Sequence, residues 1–306
     1  MNKKILVTGG TGLVGGCIKN HLKACGYTVI APRREELDLR NSEQTYKYLQ
    51  SERPEAVIAA AALVGGIAAN IKEPVKFLVD NINMQNNLML AAAESNVEKL
   101  IFMSSSCVYP RESPQPMKEE YFLTGPFEPT NASYATAKAA GMQLAYALKS
   151  ENKLDTTVLI PSNIYGPGDT FNTLKSHVAS ALVKKFVDAR NTKNSAVLVW
   201  GTGEARRELT HVQDLANATE LILRSKDIPF MINVGTGTDH SIKELANIIQ
   251  RLSRFKGSIQ FDPSKPDGMP RKVLDVSTLR NLGWSAKISL EEGIKELILS
   301  YENSSH

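Results

Sequence analysis

Cysteine is scarce: Cys17, Cys25 and Cys107 are the only three in 306 residues, and no two stand in a CxxC spacing. An odd, widely spaced set suits neither a disulfide framework nor a zinc site, so reduced thiols and no metal are expected. Long hydrophobic runs are missing as well. The longest, such as residues 56–64, fall well short of the roughly 20 residues needed to span a bilayer. The opening MNKKILVTGG passes from two lysines straight into a strand-like run, without the apolar stretch and cleavage site of a signal peptide. No membrane association and a cytoplasmic location are therefore expected. Charge of one sign is also in short supply: 36 Lys and Arg against 32 Asp and Glu leave only +4, with no basic block, so no nucleic-acid partner is expected. Internal repeats and low-complexity linkers are absent, and only the terminal ENSSH is expected to fray. What remains is 42 % apolar content, enough for a full core as one large α/β unit or two lobes.

The apolar residues fall into alternating short and long patterns. Residues 4–8, 27–31, 55–60, 99–104 and 156–161 are short β-rich runs, each followed by a stretch with helical spacing. That alternation predicts an α/β fold with a parallel sheet covered on both faces. Residues 74–95 carry a wide apolar stripe, able to face the sheet and a partner subunit at once. After Pro161 the order is less regular: a loop at 166–173, a helix near 175–190, a strand at 196–200, then helices near 213–225, 241–254 and 289–300. Ser241 with Glu244, and Ser289 with Glu292, have capping-box spacing at the start of the last two.

The first chemistry lies in Gly9, Gly10, Thr11, Gly12, Leu13, Val14 and Gly15, which follow a strand and open a helix. Glycine permits a tight turn and close approach to a pyrophosphate, and the helix N-terminus adds N–H donors and a positive dipole end. Cofactor choice turns on the end of the second strand. There the chain reads Ala31-Pro32-Arg33-Arg34, guanidinium groups that suit a 2′-phosphate rather than ribose hydroxyls, unless they merely sit in solvent. NADP(H) is the expected cofactor, with Asp38 and Leu39 against the adenine.

Tyr134 and Lys138 stand four apart in a helical stretch and so share a face. A phenol that donates a proton to a ketone needs its pKa pulled down from about 10, and a nearby ammonium favours the phenolate. Ser105, at the C-terminal end of the fourth strand, can bond the same carbonyl. Cys107 lies two residues on, so in an extended segment both side chains point into one cavity. A free cysteine is otherwise an apolar filler. As a base it needs a cation nearby, because only about 3 % of a thiol is ionised at pH 7. His177 is the expected partner, with a pKa that lets it donate a proton opposite the thiolate; its plain alternative is a packing residue.

The glycine turn, the serine and the Tyr-x-x-x-Lys resemble the extended short-chain dehydrogenase/reductase family. Further segments, AALVGGIAAN (61–70), SSCVYP (105–110), EPTNASYATAK (128–138), PSNIYGPGDTF (161–171), SHV (176–178), VWGTG (199–203), NVGTG (233–237) and SKPDGMPRKVLD (264–275), are similar to its GDP-4-keto-6-deoxy-D-mannose 3,5-epimerase/4-reductases. The resemblance implies a Rossmann-type doubly wound sheet over 1–165, joined again by 205–240. A smaller C-terminal α/β substrate lobe would comprise 166–204 and 241–306. It implies that Cys107 and His177 exchange protons at C3 and C5, with Ser105, Tyr134 and Lys138 serving reduction. Ala61, Pro161, Asn163, Ile164, Lys138 and His177 would join the glycine turn in holding NADP(H). Lys185, Trp200, Arg207 and Asp267 would contact the GDP-sugar, with Lys265 and Arg271 beside them. The plain alternatives are a surface Arg207–Glu208 pair and a core Trp200. A homodimer through helices near 74–95 and 131–150 is also implied. The chain departs from the bacterial pattern at Gly10-Thr11, where a His-Arg pair is common. Three other readings stay open: a relative acting on a colitose or 6-deoxyheptose precursor, a reductase without epimerisation, and a non-catalytic NADP-binding module.

Overall fold

The computed structural model describes residues 3–172, 176–265 and 267–304. Thr173 and Lys175, at the edges of the expected loop and helix, and the terminal Ser305 and His306 lie outside the described residues.

Six parallel strands form the main sheet: β1 (Lys4–Val7), β2 (Thr28–Ile30), β3 (Ala56–Ala59), β4 (Lys99–Met103), β5 (Asp155–Pro161) and β9 (Met231–Val234). Their order is β2-β1-β3-β4-β5-β9. Alternation along each strand sends side chains to both faces. On β1, Leu6 enters one core with Val57, Phe102 and Ile160, while Ile5 and Val7 enter the other with Ile58, Met103 and Leu159. The first core is roofed by α2 (Ser42–Glu52), α4 (Pro74–Glu94) and α5 (Ala132–Ser150). The second is roofed by α1 (Leu13–Ala24), α7 (Val212–Arg224) and α9 (Ser277–Asn281). Strands buried on both faces read as near-continuous apolar runs, which is why this half was legible in the sequence. A short α3 (Ile67–Lys72) precedes α4.

The remaining elements build a smaller lobe. β6 (Asn163–Tyr165), β8 (Arg206–His211), β10 (Asp239–Ser241) and β12 (Arg271–Lys272) form one sheet, with β8 pairing to the other three. β7 (Ala196–Trp200) and β11 (Ser258–Asp262) pair in a second. With them, α6 (Val178–Asn191), α8 (Ile242–Ser253) and α10 (Leu290–Ser304) enclose a third core around Phe186, Ile249, Phe255 and Leu297. Both capping boxes form: Ser241 and Glu244 bond each other's backbone N–H, as do Ser289 and Glu292. Within 205–240, α7 and β9 lie with the main sheet, whereas β8 lies in the small one. No helix among the described residues is long and apolar enough to cross a membrane.

Candidate active site

In a parallel sheet the C-terminal strand ends share one edge, and a crevice opens where the strand order reverses, here between β1 and β3. Gly9, with φ of +69°, turns the chain there, and a Cβ at this position would lie 3.0 Å from the backbone of Ala61. A Cβ at Gly15 would lie 2.4 Å from Gly9 O, so helix and turn meet only because position 15 has no side chain. Gly12 begins α1 without a side-chain cap, and Thr11 and Gly12 are exposed, leaving bare backbone for a pyrophosphate. Gly10 is buried against Ala31, and Leu13 and Val14 pack on the second core. Arg33 and Arg34 are exposed just beyond β2, with Arg34 only loosely paired to Asp38 at 4.0 Å. The Asp38 carboxylate is instead held by Arg40, whose hydrogen bonds bring its pKa down to about 2. Leu39 is buried in the first core, so only the surface of this segment is free for an adenine. Pro161 ends β5 and Asn163 follows at the same edge, while the Ile164 side chain is buried in the second core.

Beyond β4 the chain enters a long loop to α5. Ser105 and Cys107 do not lie in an extended segment, as expected from the sequence: residues Ser106–Val108 form a 3₁₀ turn, and Ser105 Oγ accepts the Cys107 N–H at 3.2 Å. The tight turn still brings the two side chains together, and Ser105 is within hydrogen-bonding reach of both Cys107 and Tyr134. The expected influence of Lys138 on Tyr134 is a correction. Burial, followed by the charge of Cys107, raises the phenol pKa well above its ordinary value despite the Ser105 hydrogen bond. Lys138 is 3 % exposed and donates to Met103 O at 2.8 Å, over the Phe102 ring, and burial depresses its pKa to about 7.

The cation beside Cys107 is Lys272, not His177. Lys272 Nζ lies 3.3 Å from Cys107 Sγ and Asn131 Nδ2 lies 3.2 Å from it. Burial pushes the thiol up, but the Lys272 charge and hydrogen bonds from Ser105, Lys272 and Asn131 outweigh it, and the net shift is downward. His177 is the N-cap of α6, and the protein packed around its ring lowers the imidazole pKa. Asp169 opposes that shift and Lys272 adds to it, so Lys272 acts on both the thiol and the imidazole. Asp169 accepts a hydrogen bond from Ser180 in the first turn of α6; burial raises its own pKa.

The expected substrate residues fall into two groups. Lys185 and Lys265 place their ammonium groups 5.6 Å and 5.8 Å from the centre of the Trp200 ring, and Trp200 is 56 % exposed, which rules out a core role. Asp267 holds the Gly201 turn by accepting Thr202 N and Oγ1, and its carbonyl accepts Arg207 at 2.9 Å. Arg207 feels the charges of Asp267, Cys107 and Glu128, facing the cleft. It does not pair with Glu208, which is buried and accepts Gly237 N and Leu274 N. Arg271 pairs with Asp239 at 2.5 Å. Neighbours on a strand point opposite ways, so β12 sends Arg271 outward and Lys272 to Cys107.

Sequence reading missed Lys272, Asn131, Asp169 and Asn233. Buried Asn233 accepts from Tyr109 Oη at 2.6 Å and donates to the carbonyls of Met117 and Asp275, clamping the Cys107 loop to the Lys272 segment. Its only signal was its place in NVGTG. Among the described residues no group of three or more His, Cys, Asp or Glu side chains is placed to hold a metal ion.

Residues 5–235 match the model of the NAD dependent epimerase/dehydratase family. A GDP-L-fucose synthase of Sinorhizobium fredii is 42 % identical over 301 residues, covering 98 % of this chain and 95 % of that relative. A GDP-L-colitose synthase of Yersinia pseudotuberculosis is 41 % identical over 295 residues, 96 % of each. Among solved structures, a GDP-mannoheptose C4 reductase of Campylobacter jejuni with NADP bound superposes with a TM-score of 0.89 at 32 % identity, covering 98 % of both chains. The chain belongs to the NAD dependent epimerase/dehydratase family, in the branch that holds the GDP-L-fucose synthases.

Proposed function

We propose that this enzyme epimerises GDP-4-keto-6-deoxy-D-mannose at C3 and C5 and reduces it at C4, giving GDP-L-fucose. The observation that carries the reading is the meeting of Cys107, Ser105 and Tyr134 in one cleft, with Lys272 on the sulfur. The C4 ketone acidifies the protons on C3 and C5. A Cys107 thiolate removes one, and His177 returns a proton from the opposite face. Ser105 and Tyr134 stabilise the enolate oxygen by hydrogen bonds aimed at the developing charge. In the reductive step Tyr134 gives its proton to the C4 oxygen, and Lys138 would hold the nicotinamide ribose. The cofactor is NADP(H), which supplies the hydride to C4; the glycine turn, Arg33 and Arg34 would hold its phosphates. Arg207 would grip the diphosphate, and Trp200 with Lys185 and Lys265 would offer a cationic flat face to the nucleotide.

A colitose or heptose precursor remains the second reading, supported by the Yersinia and Campylobacter relatives. Mixing protein, NADPH and GDP-4-keto-6-deoxymannose and following nicotinamide absorbance separates them: oxidation is expected with this sugar. Oxidation only with a 3-deoxy or heptose analogue overturns the assignment. A homodimer is supported by the exposed Val75, Val79, Leu90 and Tyr146 on the adjoining α4 and α5. A cytoplasmic setting is supported by three unpaired cysteines.

A further inference from the structure

Asn131 occupies the N-cap of α5, a position where asparagine ordinarily turns its side-chain oxygen to an N–H of the first turn. Here it makes no such bond. Its Oδ1 is buried and has no hydrogen-bond partner, while its Nδ2 is directed to Cys107 Sγ at 3.2 Å. The residue thus forgoes a cap and leaves an acceptor unsatisfied, both unfavourable. What it gains is a donor on the sulfur.

The groups facing that sulfur come from four elements. Lys272 on β12 donates at 3.3 Å, and the Ser105 hydroxyl is within reach. Tyr134 on α5 and Arg207 on β8 both feel the charge at Cys107. An ammonium and a guanidinium can only donate, and the carboxamide presents its N–H side. A thiol proton would meet mainly donors there, whereas a thiolate satisfies them.

We propose that Asn131 is a positioning residue, turned away from the helix it begins so that its amide N–H, together with Lys272, holds the Cys107 sulfur as a thiolate. This deepens the epimerisation reading of the cleft, which gives the thiolate its use. It also explains a cap residue that does not cap.

The test is the pH dependence of iodoacetamide alkylation of Cys107 in the full chain, read by peptide mass mapping so that Cys17 and Cys25 are scored separately. In Asn131→Leu the midpoint moves upward and alkylation below it slows about tenfold, the size of one lost hydrogen bond to a charged group. Asn131→Asp retains the shape and a good capping group but replaces a donor by a carboxylate, and moves the midpoint further in the same direction. A merely structural loosening changes the plateau rate and leaves the midpoint in place. Midpoints equal to wild type in both variants overturn the proposal. Shifted midpoints with no isotope uptake into any GDP-4-keto sugar support the proposal and refute the epimerisation reading alone.

Discussion

Replacing Lys272 by Met keeps the length and most of the bulk of the side chain and removes its charge and its hydrogen bond to Cys107. The ammonium lies 3.3 Å from the Cys107 sulfur. At an effective dielectric of about 20, two unit charges at that separation attract by about 5 kcal/mol before desolvation is counted. Measured effects of an opposite charge at such range are smaller, about one to three decades in the ionisation equilibrium. The thiolate population near neutral pH therefore falls, by up to about 10- to 1,000-fold, because burial, which already pushes the thiol up, is left opposed only by Ser105 and Asn131. The backbone pairing of β12 with β8 does not involve the side chain, so the fold is retained. The assay is deuterium exchange from heavy water into C3 and C5 of the GDP-keto sugar, measured without NADPH so that reduction does not intervene. The account expects exchange to slow by that factor, while NADPH binding, measured by fluorescence, is unchanged. Exchange within about threefold of wild type would refute the assignment of Lys272 as the cation that ionises the base.

Two further outcomes follow from buried and exposed cations elsewhere. Lys138 titrates near pH 7 in the fold against about 10.4 when unfolded, so the unfolded chain binds more protons between those values and stability should rise with pH across that window. Lys138→Met should lose that rise, gain a few kcal/mol of stability at pH 7 in thermal or urea unfolding, and lose reductase activity; an unchanged pH profile of stability would contradict the buried-ammonium picture. Arg33→Ala combined with Arg34→Ala should raise KM for NADPH by about tenfold or more and leave KM for NADH within about twofold, as expected from losing charge-assisted phosphate contacts. Equal changes for both cofactors would place the arginines in solvent.

How much of this was legible depended on sequence distance. The glycine turn, the first five strands of the main sheet and both capping boxes are local patterns, set by residues a few positions apart, and they occur where the spacing predicts them; β9, the sixth strand, does not show in that pattern. The pairing of Cys107 with Lys272 spans 165 positions and is made by the Asn233 clamp, which no local pattern announces. The choice between Arg271 and Lys272 depends on which side of a two-residue strand faces the cleft, and so on the register of β12 against β8. The two-residue spacing of Ser105 and Cys107 predicts one face of an extended segment, where the structure has a 3₁₀ turn. The four-residue spacing of Tyr134 and Lys138 predicts an ammonium beside the phenol, but α5 aims the lysine's long side chain at a strand-end carbonyl. The resemblance located Trp200 with Lys185 and Lys265, because their contact depends on β7, α6 and a loop from distant parts of the chain.

The central claim is that proton exchange at carbon and hydride transfer share one cleft. Its most direct test is one reaction of the protein with NADPH and GDP-4-keto-6-deoxy-D-mannose in heavy water, with the product analysed by proton NMR. The account predicts an L-configured product carrying deuterium at both C3 and C5, with one NADPH consumed per sugar. A reduced product that keeps the D configuration and protium at both carbons would contradict it.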